Sequence, residues 1–128
     1  KELFIVQNLI NTTGKSVYVE DESLINAATA ISGSGPAYVF YFMQSMIDAA
    51  HQLGFSKSEA ELLVKQTFLG TINLYNTGAI STEEWIRRVS SKGGTTEKAI
   101  QSFSSSFLNN EIIKGIFSAH KQAEKLGS

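Results

Sequence analysis

The sequence predicts an all-α domain, and three observations carry that prediction. A single proline stands in 128 residues, so little interrupts backbone hydrogen bonding along the chain. Serine-led helix starts recur ahead of apolar segments. The stretch Pro36 to Leu53 is apolar nearly all round, the mark of a helix that must be covered on every side.

Taken in order, helices are expected near 2–13, 21–31, 36–53, 57–77, 82–89, 95–107 and 110–126. The one strand candidate is Ser16 to Glu20, where Val17, Tyr18 and Val19 favour extended backbone. Pro36 after Gly35 suits a first helical residue, which has no use for an amide hydrogen. Ser56-Lys57-Ser58-Glu59 reads as a capping box, the serine accepting from the backbone of Glu59 and the glutamate reaching back. Ser81-Thr82-Glu83-Glu84 repeats the pattern, with Ile80 and Trp85 at the two positions of a hydrophobic staple. Gly54 and Gly78 fall where helix C-terminal caps belong.

Composition narrows the function classes. At 128 residues the chain is the size of one ordinary domain. A formal charge of −1 with 18% charged residues gives no electrostatic case for nucleic acid or a membrane surface. The absence of cysteine excludes disulfides and thiolate zinc sites and fits a reducing compartment. The longest apolar run, Ala37 to Met43, falls far short of the ~20 residues that a membrane span needs. "KELFIVQNLI" lacks the plan of a signal peptide, so a cytoplasmic location is expected.

The helix from Pro36 to Leu53 would be about 27 Å long at ~1.5 Å per residue. Two coverings are open. It is the central core helix of a monomer, or a second chain completes its surroundings. The consecutive aromatics Tyr38, Phe40, Tyr41 and Phe42 point in different directions and read as core rather than as a cofactor box. His51, beside Ala50 and Leu53, reads as a hydrogen-bonded core histidine. His120 lies near the end of the last helix, where a cation complements the dipole. Neither histidine has a second ligand at metal-like spacing.

Two glycine-rich junctions remain. Gly33-Ser34-Gly35 evokes a dinucleotide loop, but Tyr38 stands where the third glycine belongs and no convincing strand immediately precedes it. It reads as a helix–helix junction. "VSSKGGTTEKA", Val89 to Ala99, is different. A helix starting at Thr95 leaves the amides of Thr95, Thr96 and Glu97 unpaired. Gly93 and Gly94 remove the Cβ atoms that would block a ligand's approach to backbone. Ser90, Ser91, Thr95 and Thr96 add hydroxyls, and Arg87, Arg88, Lys92 and Lys98 add cations nearby. The stretch is either a cradle for one small carboxylate or phosphate, or a helix start that Gly94 and Glu97 simply cap, with solvated cations.

"TAISGSGPAYVF", then "DAAHQLGFSKSEAELLVKQTFLGT", then "VSSKGGTTEKA" resembles, in that order and at compatible spacing, the C-terminal half of pyrroline-5-carboxylate reductase. The resemblance runs from about Asp21 to Leu126. It implies a helical dimerisation domain of the 6-phosphogluconate-dehydrogenase C-terminal-like type over 21–128. Residues 1–20 are then the closing helix and last strand of a truncated dinucleotide-binding domain. It implies reduction of 1-pyrroline-5-carboxylate to L-proline, the last step of proline synthesis, with NADPH or NADH bound mainly by the missing N-terminal domain. It further implies an intertwined homodimer, and no catalysis by the fragment alone. On the same ground Ser90, Ser91, Gly93, Gly94, Thr95 and Thr96 bind substrate, and the Thr96 hydroxyl approaches the ring nitrogen as the catalytic contact. Ser32 to Ala37 would face the reaction centre. Lys92 stands where the family often has proline, which leaves the loop less rigid and adds a charge. A non-catalytic helical dimerisation or interaction module, related to the reductase, is the alternative.

Overall fold

The computed structural model describes residue 21 and residues 23–127; the expected helix at 2–13 and the strand candidate Ser16 to Glu20 lie outside the described residues. Among the described residues six α-helices and one π-turn follow one another: α1 (Ser23–Ala28), the π-turn (Thr29–Gly33), α2 (Gly35–Gln52), α3 (Lys57–Tyr75), α4 (Thr82–Val89), α5 (Thr95–Ser105) and α6 (Leu108–Gly127). Among the described residues there is no strand, and the all-α expectation holds.

Asp21 starts α1 by accepting the Ser23 amide at 3.0 Å. The helix then loosens into the π-turn, closed by a bond of 2.9 Å from the Ser34 amide to the Thr29 carbonyl five residues back. Hydroxyls help to open it: Thr29 donates to the Ile25 carbonyl at 3.1 Å and Ser32 to the Ala28 carbonyl at 2.8 Å, bonds of the kind that bend helices. The Tyr38 hydroxyl donates to the Ala30 carbonyl at 2.8 Å and ties α2 to the turn.

Helix α2 begins at Gly35, with Pro36 in its first turn. It ends in a double closure in which the Gly54 amide bonds the His51 carbonyl at 3.1 Å and the Phe55 amide bonds Ala50 at 3.2 Å. Gly54 adopts φ 116°, the positive value this ending requires. The next start is the complete capping box: Ser56 Oγ accepts from the Glu59 amide at 3.2 Å, and Glu59 accepts from the Ser56 amide at 2.9 Å. Helices α2 and α3 pack together, with Phe42 and Phe68 meeting edge to face at 6.4 Å between ring centres. Ala60 and Val64, four residues apart on one face of α3, are buried.

Two caps differ from expectation. Gly78 does not cap α3; the Thr77 amide and hydroxyl both bond the Leu74 carbonyl, at 3.1 and 2.7 Å, so a threonine does the closing. At α4 only half a box forms. Ser81 Oγ accepts from the Glu84 amide at 3.1 Å, but the Glu84 carboxylate turns to Arg87 and Arg88. Two guanidinium groups at three and four residues' distance outcompete one backbone amide. Ile80 and Trp85, the staple pair, are both partly buried.

Between α5 and α6 the chain turns on one residue. Phe107 takes φ 57°, a left-handed conformation costing a side chain of this size ~1–2 kcal/mol. Its amide bonds the Ser104 carbonyl at 3.0 Å and its carbonyl accepts the Glu111 amide at 3.1 Å, so Phe107 closes one helix and opens the next.

Packing joins α1 and the π-turn to α6, the π-turn to α2, and α5 to α6. What this arrangement lacks is an interior. Among the described residues only Ala30, Ala60 and Val64 are buried hydrophobic residues, and α2 contributes none. Phe40 is 66% exposed and Tyr41 80%. His51, expected in a core, is exposed in the protomer. It does keep a hydrogen bond, from Nδ1 to the Phe55 carbonyl at 2.9 Å. A carbonyl only accepts, so this ring nitrogen carries the proton.

Candidate functional site

The loop between α4 and α5 gathers all six candidate residues into one turn. Ser90 ends α4, its amide reaching back to the Ile86 carbonyl at 3.0 Å. The Ser91 carbonyl accepts the Gly94 amide at 3.0 Å, which folds the loop over. Gly93 sits at φ 74°, where a side chain is strained. Gly94 is required for a different reason: a Cβ there would lie 2.5 Å from Ser91 Oγ and 3.1 Å from the Ser91 carbonyl oxygen. The two glycines therefore permit a turn that no other pair fits without displacement.

Gly94 is the N-cap of α5 and supplies no side chain to it. The first helical bond runs from the Lys98 amide to the Gly94 carbonyl at 3.3 Å. Among the described residues the amides of Thr95, Thr96 and Glu97 reach no acceptor, which leaves three parallel donors at the positive end of an 11-residue helix. An anion there gains ~0.3–1 kcal/mol when exposed and ~2 when partly buried. Ser91 and Thr95 are exposed, and Thr96 is partly buried. The Thr96 hydroxyl makes no hydrogen bond among the described residues and is free to meet a ligand.

The four nearby cations divide. Arg87 and Arg88 are committed to Glu84, Arg88 at 3.3 Å, and the Arg88 guanidinium also stands 5.7 Å from the centre of the Trp85 ring. Lys92 and Lys98 form no ion pair among the described residues, so they are the cations available to the loop.

Gly94 and Glu97 do cap this helix start, as one reading of the sequence has it; the amide that Glu97 takes and two unpartnered buried atoms were not foreseen. Glu97 reaches back to accept the Gly93 amide at 3.1 Å, one residue beyond the amide that a capping box would use. The pattern of glutamate at the third helical position was the available signal. Ser90 Oγ and Trp85 Nε1 are buried without a partner among the described residues, which nothing in the sequence foretells. Ser90 and Glu97 line the same groove between α4 and α5, with Ile86, Ile100 and Gln101.

Elsewhere the described residues are quieter. Gly33 closes the π-turn and Gly35 opens α2, so among the described residues no strand leads directly into the Gly33-Ser34-Gly35 segment. No group of histidine, aspartate and glutamate is arranged to hold a metal ion, and no helix is long and apolar enough to cross a membrane, among the described residues. His120 lies 3.8 Å from Glu124, one turn along α6.

Known proteins resemble this chain over most of its length. Residues 22–126 match the family model for pyrroline-5-carboxylate reductase dimerisation. The pyrroline-5-carboxylate reductase of Pseudomonas aeruginosa is 38% identical over 118 residues, covering 92% of this chain and 43% of that protein. Pyrroline-5-carboxylate reductase 2 of Bacillus subtilis is 31% identical over 125 residues, covering 98% of this chain and 45% of that one. Among solved structures, a pyrroline-5-carboxylate reductase from Coxiella burnetii superposes with a TM-score of 0.92 at 36% identity, over 98% of this chain and 46% of that one. Pyrroline carboxylate reductase of Plasmodium falciparum, solved with NADP bound, gives 0.90 at 28% identity, over 98% and 48%. The chain thus spans less than half the length of these relatives. On the match over residues 22–126, this chain belongs to the pyrroline-5-carboxylate reductase family, as its dimerisation domain.

Proposed function

We propose that the full-length protein reduces 1-pyrroline-5-carboxylate to L-proline with NADPH or NADH, and that residues 21–128 supply a dimer interface and the site for the substrate's carboxylate. The observation that carries this reading is the set of three unpaired amides, Thr95 to Glu97, behind two glycines whose replacement meets strain or a clash. A bare dimeriser needs no such loop.

In this reading the carboxylate sits against the backbone amides around Gly94 to Thr96, with Ser90 and Ser91 offering hydroxyls. The Thr96 hydroxyl orients the ring nitrogen and assists its protonation. Ser32 to Ala37 face the same reaction centre. When bound, the nicotinamide supplies the hydride. In this reading residues 1–20 are the end of a dinucleotide-binding domain, and that domain holds the nicotinamide cofactor. The chain's own contribution is position and polarity for a small acid. The exposed apolar faces of α2, α3 and α6 support an intertwined homodimer, and the charge of −1 supports neither nucleic acid nor an anionic membrane surface as a partner. A cytoplasmic setting fits a cysteine-free chain of this kind.

The test is pyrroline-5-carboxylate-dependent oxidation of NADPH or NADH by full-length protein, beside Thr96→Ala. Wild-type turnover with a loss of about tenfold or more in the variant is expected. Equal rates would remove Thr96 from the chemistry, and an inactive wild type would remove the reductase assignment. The 128-residue chain alone should turn over nothing.

A further inference from the structure

We propose that Glu97 is a positioning residue: its carboxylate clasps the Gly93 amide and so keeps the Thr95 to Glu97 amides presented to an incoming acid. The identity of that acid rests on the reductase reading; the clasp does not.

Five consecutive amides meet in this loop, and the chain treats them in two ways. Those of Gly93 and Gly94 have internal acceptors, Glu97 Oε1 at 3.1 Å and the Ser91 carbonyl at 3.0 Å. The following three have none among the described residues. Glu97 occupies the third position of α5, from which a side chain curls back over the helix start. The N-cap amide it would ordinarily take already belongs to Ser91, so the carboxylate goes one residue further out. There it holds a glycine at φ 74° that would otherwise sample both signs of φ freely. Lys92, beside it, adds no stiffness to the backbone. The Glu97 bond is therefore the only side-chain restraint on the outer half of the loop among the described residues.

The restraint has an electrostatic cost. A carboxylate at the mouth of a site for acids repels them. Ser90 and Glu97 line one groove between α4 and α5, so the charge of Glu97 stands beside the loop's donors. Clasp and repulsion act in opposite directions on substrate affinity, so two substitutions separate them. Glu97→Gln keeps an oxygen acceptor and removes the charge. Glu97→Ala removes both.

The experiment uses full-length wild type, E97Q and E97A. KM for pyrroline-5-carboxylate and kcat are measured at low and high salt, with amide hydrogen exchange at Gly93. E97A should raise KM about tenfold, with kcat falling less than threefold, because a loosened loop costs binding before it costs chemistry. E97Q should lower KM about two- to threefold at low salt, a gain that disappears near 1 M salt, where the screening length is only ~3 Å. Gly93 exchange should be severalfold faster in E97A than in wild type, with E97Q close to wild type. An E97A KM within twofold of wild type would overturn the proposal, and so would an E97Q KM that rises as E97A's does. Should E97A not fold, the E97Q sign alone decides. An inactive wild type would defeat the reductase reading, and the clasp would then stand or fall on Gly93 exchange, equal rates in all three proteins overturning it.

Discussion

Dilution should melt this domain at lower temperature, by an amount that the structure sets. Phe40 is 66% exposed in the protomer and Tyr41 80%, and α2 has no buried residue. If a second copy covers that surface, folding and association are one step and the melting temperature depends on concentration. The matched segment has 105 residues per chain, from 22 to 126. A dimer of about 210 residues, at ~2.1 cal/mol/K each, has an unfolding entropy of about 0.44 kcal/mol/K. A tenfold change in concentration is worth ~1.5 kcal/mol near 60 °C, so Tm should shift about 3.5 °C per decade and about 7 °C over two. Differential scanning calorimetry from about 2 to 200 μM on the 128-residue chain tests this, with light scattering to give the mass. Phe40→Asp places a charge on a face that is 66% exposed in the protomer and should shift the population toward monomer. A Tm that stays constant across two decades, or a monomer mass at micromolar concentration, would refute the reasoning.

Other consequences are local. Gly94→Ala should raise KM in the full-length protein about tenfold or more, since the new methyl must displace Ser91; adding Ser91→Ala should recover only part, because the Ser91 carbonyl oxygen still stands 3.1 Å from the methyl. Ser56→Ala should cost about 1 kcal/mol by urea denaturation through loss of the α3 cap. The Glu59 carboxyl lies below its ordinary value of 4.5 in the folded chain, held there chiefly by the Ser56 amide. A folded value below the unfolded one stabilises at pH above the unfolded value, and that contribution is lost as pH falls through the folded one. Stability should therefore decline below about pH 4.5, and Glu59→Gln should flatten that acid limb. Asp21, lowered from 3.8 by the Ser23 amide, adds to the same limb.

What could be read from the chain was whatever its neighbours in sequence decide. The Ser56–Glu59 box closed because serine and glutamate need only each other across one turn. The Ser81–Glu84 box closed halfway because Arg87 and Arg88, equally local, bid for the same carboxylate. The π-turn at Thr29–Gly33 was not legible, since its bonds differ from those of an α-helix by a single residue of register. His51 was placed in a core on the apolarity of its neighbours, but apolarity reports that a face must be covered, not which chain covers it. At the candidate site the donors were legible and their allocation was not. Which amide Glu97 takes depends on the Ser91 carbonyl having claimed Gly94 first, an outcome of loop geometry.

The bare flank of α2 has one more consequence. In a two-fold pair, every side chain near the axis faces its own duplicate. If α2 lies on that axis, a single codon change alters both sides of the contact together, so harm or benefit enters squared rather than singly. Compensation must come from a third position, because a residue cannot be repaired by its own reflection. Tolerance to change should accordingly be lowest along Gly35–Gln52, even though no part of that helix is buried in a lone chain.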